Sequence, residues 1–425
     1  MGKMNSSLNN FFRVFGPGLL FAAVAIGVSH LVQSTRAGAF YGPAMILFVL
    51  ASMAVKYPFY RFGPQYTAAT GRTLVDAFRR QGLWVFIPFS LLMVLTSFIA
   101  IAALSSGTAV IAGNAFQLDY SPVKIAVFLL VANAVILGFG RYHWLDIIMK
   151  LFVFILSLST IAATLITLPI IDWSRTVQQF PPEMTKTAII FIVALVGWMP
   201  APLEAAVGHS LWTKAKASDS GYRPKIKESI MDFHVGYVGT LFLSFCFMLL
   251  GAGVLQAEGN ELARGAAAFT GQFISLYESA LGEWSGILVR VSATVVMYST
   301  LLAATDNYGR MISGIFLRLN TPEQSWERDA GQLPSVLYNV LIVVLSTGGF
   351  FVFLLFAESF RTLLAIATSA AFISAPFIAV LVYRSITSDD LEDSQKPTPG
   401  LRRYSIFCIA ALTVFAIAYI FLLLT

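Results

Sequence analysis

Eight ionisable side chains in or beside the apolar runs of this chain are candidates for chemistry: His30, Arg36, Lys56, Glu204, His209, Asp306, Arg310 and Glu358. A charge held in an apolar setting is costly and is usually retained for function. Glu204 follows two prolines, Pro200 and Pro202. A carboxylate there either holds a cation or carries a coupling proton, or it is a structural group paired with Arg36, Lys56 or freed backbone amides. His30 lies in a polar stretch, Ser29-His30-Leu31-Val32-Gln33-Ser34-Thr35. A neutral imidazole binds metals or relays protons; the alternative is a histidine satisfied by its surroundings. His209, towards the far end of its run, reads as structural. Asp306 and Arg310 are spaced i, i+4 and so meet on one helix face, as a self-neutralising ion pair. Lys56, beside Tyr57-Pro58, is placed to snorkel to one face of a bilayer. Arg36 either snorkels to the other face or binds a substrate carboxylate. Glu358, with Arg361, falls at a turn between two apolar runs.

The runs that carry these groups define the class of protein. Of 425 residues, 57% are hydrophobic, 36 are Phe and only 12% are charged, and the mean hydropathy is +0.76. Soluble domains carry about 25% charged residues, so a soluble enzyme, a disordered chain and a disulfide scaffold are excluded. Cys246 and Cys408 both lie in apolar runs and read as small core hydrophobes. A helix needs roughly 20 apolar residues to cross a bilayer. Eleven such runs occur, at about 16–40, 43–61, 84–113, 122–140, 146–171, 186–213, 232–255, 284–316, 332–356, 360–383 and 402–425. Their length argues against a barrel, whose segments are short and alternating. The expectation is an all-α, multi-pass protein of the cell membrane.

Most of the basic residues, among them Arg72, Arg79, Arg80, Lys214, Lys216, Arg223, Lys225 and Lys227, fall on one side of this topology. The opposite connection, 256–283, is acidic, with Glu258, Glu261, Glu278 and Glu283. The positive-inside rule then puts the N-terminus in the cytoplasm and, after eleven crossings, the C-terminus outside. The net charge of +6 belongs to anchoring loops, and a nucleic-acid partner is not called for.

Two runs are interrupted. In the first, apolar residues give way midway to Gly27-Val28-Ser29-His30. In the sixth, Pro200 and Pro202 in Gly197-Trp198-Met199-Pro200-Ala201-Pro202-Leu203-Glu204 remove two backbone donors. Paired interruptions at matching positions are the sign of inverted repeats around a midplane site. We therefore expect one membrane domain, 1–425, with a first repeat at about 16–171, a second at about 186–383, and an extra helix at 402–425. Runs 84–113, 125–140 and 332–356 contain no Asp, Glu, Lys, Arg or His, so no wire of titratable side chains passes through them. There is no Walker A sequence and thus no ATP site, and no cofactor is called for.

Short motifs in order along the chain add a resemblance. These are Gly16-Pro17-Gly18, Ala37-Gly38-Ala39-Phe40-Tyr41-Gly42, Thr70-Gly71-Arg72-Thr73-Leu74, Gly107-Thr108-Ala109 and Met199-Pro200. From Gly16 to about Phe377 the chain resembles the NRAMP family of divalent-metal transporters. The resemblance implies a LeuT-like fold: eleven transmembrane helices, two inverted five-helix repeats, and broken helices 1 and 6. It also implies alternating access. The family's Asp-Pro-Gly-Asn in helix 1, whose Asp and Asn bind the metal, falls on Gly27, Val28, Ser29 and His30. Its Met-Pro-His in helix 6 falls on Met199, Pro200 and Ala201, or, shifted, on Ala201, Pro202 and Leu203. The family's acidic residues in helix 3 and basic residues in helix 9 have no counterpart.

The expectation is a secondary-active transporter, not an enzyme, with its site at Gly27, Ser29, His30, Met199, Ala201 and Glu204 and with specificity altered from classical Mn/Fe transport. The alternatives are a divalent transition-metal importer using a remodelled His30/Met199/Glu204 site, or a non-transporting sensor or scaffold of the same fold. Arg36, Lys56, His209, Asp306 and Arg310 are candidates for coupling or ion pairing. The expected partners are a small-molecule or ion substrate and the lipid bilayer, in a monomer.

Overall fold

The computed structural model describes residues 14–171, 173, 183–255, 271, 274–275, 277–278, 282–323, 326, 335–356 and 360–424. Glu358 and the acidic Glu258 and Glu261 lie outside the described residues. All regular structure described is helical. In chain order the helices are α1 (Pro17–Ala25), α2 (Thr35–Tyr41), α3 (Ile46–Thr70), α4 (Leu74–Arg80), α5 (Leu83–Ala115), α6 (Pro122–Thr167) and α7 (Lys186–Trp198). They continue with α8 (Ala205–Ser220), α9 (Ile226–Leu250), α10 (Ser285–Asn320), α11 (Ser335–Leu355), α12 (Phe360–Ile386) and α13 (Pro399–Leu424).

Among the described residues, nine helical spans are long and apolar enough to cross a membrane, and two shorter apolar helices cover 157–167 and 186–198. Each of the eleven apolar runs therefore carries a helix. One boundary differs from expectation. The fourth and fifth runs lie in a single helical stretch, Pro122–Thr167. The residues between them, Gly140-Arg141-Tyr142-His143-Trp144-Leu145-Asp146, include no proline. Polarity alone does not stop a helix when no residue lacks an amide donor.

Both expected interruptions are present. In the first span the helical path opens into π-type turns over Ile26–Ser34, and Gly27 leaves helical geometry altogether (φ −58°, ψ −109°). In the sixth, α7 ends at Trp198, Met199 is extended (φ −92°, ψ 122°), and a helix resumes at Ala205. The Met199–Pro200 peptide bond is cis. Pro200 and Pro202 leave the carbonyls before them without helical partners.

The interrupted first span packs against α9 at very short range. A Cβ on Gly18 would lie 2.1 Å from the Asp232 carbonyl oxygen, and one on Gly236 would lie 2.0 Å from the Gly18 carbonyl oxygen. Only hydrogen fits at both places, and such backbone proximity is how helices associate without a hydrophobic driving force. Asp232 also accepts the Gly16 and Gly18 amides at 3.0 and 2.7 Å. It thereby satisfies orphan donors at the start of α1 and complements the dipole there. Below this contact Phe21, Tyr60, Phe233 and Tyr237 form an aromatic core. Cys246 and Cys408 are buried free thiols, as expected. The outward faces carry exposed Leu91, Leu95, Phe351, Leu355, Phe407 and Phe421, apolar surface suited to lipid.

Candidate functional site

A small cavity of about 30 Å³ lies where the two interruptions meet, between the first span, α5, α10 and the break after α7. A water needs roughly 10–15 Å³ by the same measure, so the space holds a couple of water-sized groups. Most of its wall is apolar, from residues such as Val28, Leu104 and Ala304. Six polar side chains break that wall: Ser29, Trp198, Glu204, Thr300, Asn307 and Tyr308.

Glu204 is 3% exposed and immediately precedes α8, where the helix dipole favours negative charge. Its Oε1 accepts a hydrogen bond from the Tyr308 hydroxyl at 3.1 Å. Its Oε2 has no hydrogen-bond partner among the described residues; nor do Trp198 Nε1 and Asn307 Oδ1. Buried polar groups are nearly always paired. Three unpaired ones around one cavity make it a place for a ligand with complementary polarity. Trp198 contributes a donor, while Glu204 and Asn307 contribute acceptors.

The backbone oxygens of the break are, by contrast, already satisfied. Lys56 Nζ donates to the carbonyls of Val196, Gly197 and Met199 at 2.7, 2.8 and 3.1 Å. Ser52 Oγ donates to Val196 and Met199 at 3.1 and 2.9 Å. The Tyr60 hydroxyl donates to Ala201 at 2.5 Å, and Ser29 Oγ to Pro200 at 3.0 Å. Ser52, Lys56 and Tyr60 are spaced four residues apart on α3, so they share one face.

Of the residues expected in the site, Ser29, Ala201 and Glu204 line the cavity. His30 does not. Its Nε2 lies 2.9 Å from the Thr240 carbonyl oxygen, and its Nδ1 lies 2.7 Å from that of Ala25 and 2.8 Å from Ser29 Oγ. The π-type turns rotate it towards α9, and both ring nitrogens are engaged there. Met199 is fully buried outside the cavity wall and contributes its carbonyl to Lys56. Gly27 supplies proximity instead of a ligand: a Cβ there would lie 2.2 Å from Thr300 Oγ1, whose side chain forms part of the wall.

The remaining candidates also find places. Lys56 is 1% exposed and turns inward to the break, not outward to a membrane face. Snorkelling loses because three orphan carbonyls are in reach. Arg36 lies over the rings of Phe40 and Phe191, at 5.5 and 5.8 Å. His209 stacks on Phe21, with Nε2 3.9 Å from Asp232 Oδ2. Asp306 and Arg310 form the i, i+4 pair at 2.8 Å, and Asp306 also accepts from Trp212 at 2.7 Å and Tyr338 at 2.6 Å.

Asn307, Tyr308 and Thr300 were not singled out from sequence. A signal exists in the polar run Thr305-Asp306-Asn307-Tyr308, which interrupts an otherwise apolar helix. Trp198, beside the prolines, is legible in the sequence as a group suited to a small polar solute. Among the described residues, no three His, Cys, Asp or Glu side chains gather closely enough to hold a metal ion.

Residues 18–422 match the model of the NRAMP family, described as natural resistance-associated macrophage protein-like. This chain belongs to the NRAMP family. A curated relative, the uncharacterized protein PM0681 of Pasteurella multocida, is 32% identical over 387 residues, covering 88% of this chain and 85% of its own. Among solved structures, a mutant of the manganese transporter of Eremococcus coleocola superposes with a TM-score of 0.71 at 12% identity, over 97% of this chain and 87% of that one. MhsT in complex with L-phenylalanine gives 0.64 at 15% identity, over 95% and 97%. Mhp1, a nucleobase-cation-symport-1 family transporter, gives 0.56 at 16% identity, over 95% and 92%. These likenesses fix a LeuT-like fold. This NRAMP-family protein is thus a multi-pass membrane protein of a secondary-transporter family, not an enzyme, with a small ion or molecule as its substrate.

Proposed function

We propose that this NRAMP-family protein carries a small hydrogen-bonding solute instead of a bare divalent metal ion, by alternating access around the cavity at the two breaks. The solute gives hydrogen bonds to Glu204 and Asn307 and accepts one from Trp198; a small protonated amine bearing an oxygen acceptor has this pattern. The observation that carries the reading is the convergence of three unpaired polar atoms, Glu204 Oε2, Asn307 Oδ1 and Trp198 Nε1, on one cavity.

Two further features support it. A bare divalent cation needs several anionic or strong neutral ligands to replace its water. Here Glu204 is the one carboxylate of the cavity wall among the described residues, and the Ala201 carbonyl is already taken by Tyr60. A donor N–H from Trp198 also repels a cation and attracts an acceptor. In this reading the repeats at about 16–171 and 186–383 rock about the site, with the N-terminus cytoplasmic.

The second reading is transport of manganese, the substrate named for the Eremococcus coleocola protein. It draws on Glu204 as an anionic ligand, and it requires His30 and Met199 to leave their present partners. Counterflow from proteoliposomes over a panel of small amines and divalent metals decides between the two. Exchange of an amine that Glu204→Gln abolishes supports the first; saturable Mn²⁺ uptake lost in Glu204→Gln and in His30→Ala supports the second.

A further inference from the structure

We infer that Lys56 is a tethered cation: its ammonium group fills the place at the carboxyl end of α7 that a dissolved cation would otherwise take. The end of a helix carries partial negative charge, about half an elementary charge shared over its last carbonyls. In transporters with broken helices, such ends and the unwound carbonyls beside them are where sodium ions or protons are held. In this chain α7 stops inside the protein at Trp198, and carbonyls left bare at that depth are costly.

Lys56 meets that need fully. Its Nζ is within 3.1 Å of three carbonyl oxygens, those of Val196, Gly197 and Met199, one for each of the three ammonium protons. At 1% exposure its charge faces the helix end and is hardly shared with solvent. Ser52 and Tyr60, one turn to either side on α3, hold the flanking oxygens of Val196, Met199 and Ala201. The six carbonyl-to-side-chain contacts lock the end of α7 and the break after it to α3, so they move as one body whenever α7 moves.

A monovalent cation from solution is therefore neither needed nor admitted at this helix end. The test does not depend on the transported solute. The unfolding midpoint of the purified full-length protein is measured in sodium, potassium and choline chloride at equal ionic strength. The wild type has the same midpoint in all three. Lys56→Met is lowered in choline and rises by several degrees in sodium or potassium, as the vacated place fills. Lys56→Gln, which keeps a donor for the carbonyls, shows the same response and carries the test if Lys56→Met fails to fold. Lys56→Arg behaves like the wild type. Variants that respond to sodium and potassium no more than to choline overturn the proposal, and so does a wild-type rise as large as theirs.

Discussion

The hydroxyl of Tyr308 donates to one oxygen of Glu204 at 3.1 Å, while the other oxygen of the same carboxylate has no partner. One half of the group is held in place and the other half faces a cavity of about 30 Å³. That division of labour suits a binding carboxylate: an anchored rotamer with a free acceptor. A purely structural glutamate buried to this extent would have both oxygens engaged.

Glu204→Gln removes the charge and keeps the volume. A hydrogen bond to a charged group contributes about 1.5–3 kcal/mol, and about 1.4 kcal/mol is tenfold in affinity. Solute exchange by Glu204→Gln should fall by at least about tenfold, while its unfolding midpoint stays near that of the wild type. Undiminished exchange would remove Glu204 from the site.

Tyr308→Phe leaves Glu204 in place without its anchor. The expected result is a higher KM for the solute, about tenfold by the same estimate, with a smaller change in the maximal rate. Counterflow at several solute concentrations separates the two quantities. A loss confined to the maximal rate would assign Tyr308 to the transport movement instead of to binding.

Gly27→Ala places a methyl carbon 2.2 Å from Thr300 Oγ1 and 2.7 Å from Thr300 Cβ. Overpacking of this kind costs about 1–3 kcal/mol, so the unfolding midpoint should drop. Adding Thr300→Gly should recover part of the loss, because the new methyl then occupies the vacated volume. No recovery would place the strain in the backbone of Gly27, not in this contact.

Asp306 accepts four hydrogen bonds from three residues, Arg310, Trp212 and Tyr338, with the guanidinium Nε reaching both oxygens. Asp306→Ala leaves the Arg310 charge with its main partner gone, which for buried pairs costs about 3–5 kcal/mol. The yield and thermal stability of the folded protein should fall sharply. The KM of the surviving protein should not change, and a large rise in KM would give Asp306 a direct part in solute binding.

The breaks were legible in the sequence because their causes are local. Pro200 and Pro202 lack amide donors wherever they stand, and the polar run after Gly27 marks loosened backbone. The destinations of individual side chains were less legible. His30 belongs to the interrupted segment, yet π-type turns over Ile26–Ser34 shift its register and send the ring to Thr240. Lys56 read as a snorkelling lysine because a sequence does not show that α7 ends beside it. Asn307 and Tyr308 are ordinary polar residues in an apolar helix, and only the meeting of α10 with the break after α7 brings them to Glu204. Local chemistry fixes where the helices open; the packing of distant segments decides which side chains face the opening.

In the proposed reading the cavity at Glu204 binds a hydrogen-bonding solute and does not hold a bare transition-metal ion. Calorimetric titration of the purified protein with Mn²⁺, alongside the Glu204→Gln variant, tests it most directly. The expected result is no saturable heat from either protein. Saturable binding of Mn²⁺ to the wild type that disappears in Glu204→Gln would contradict it.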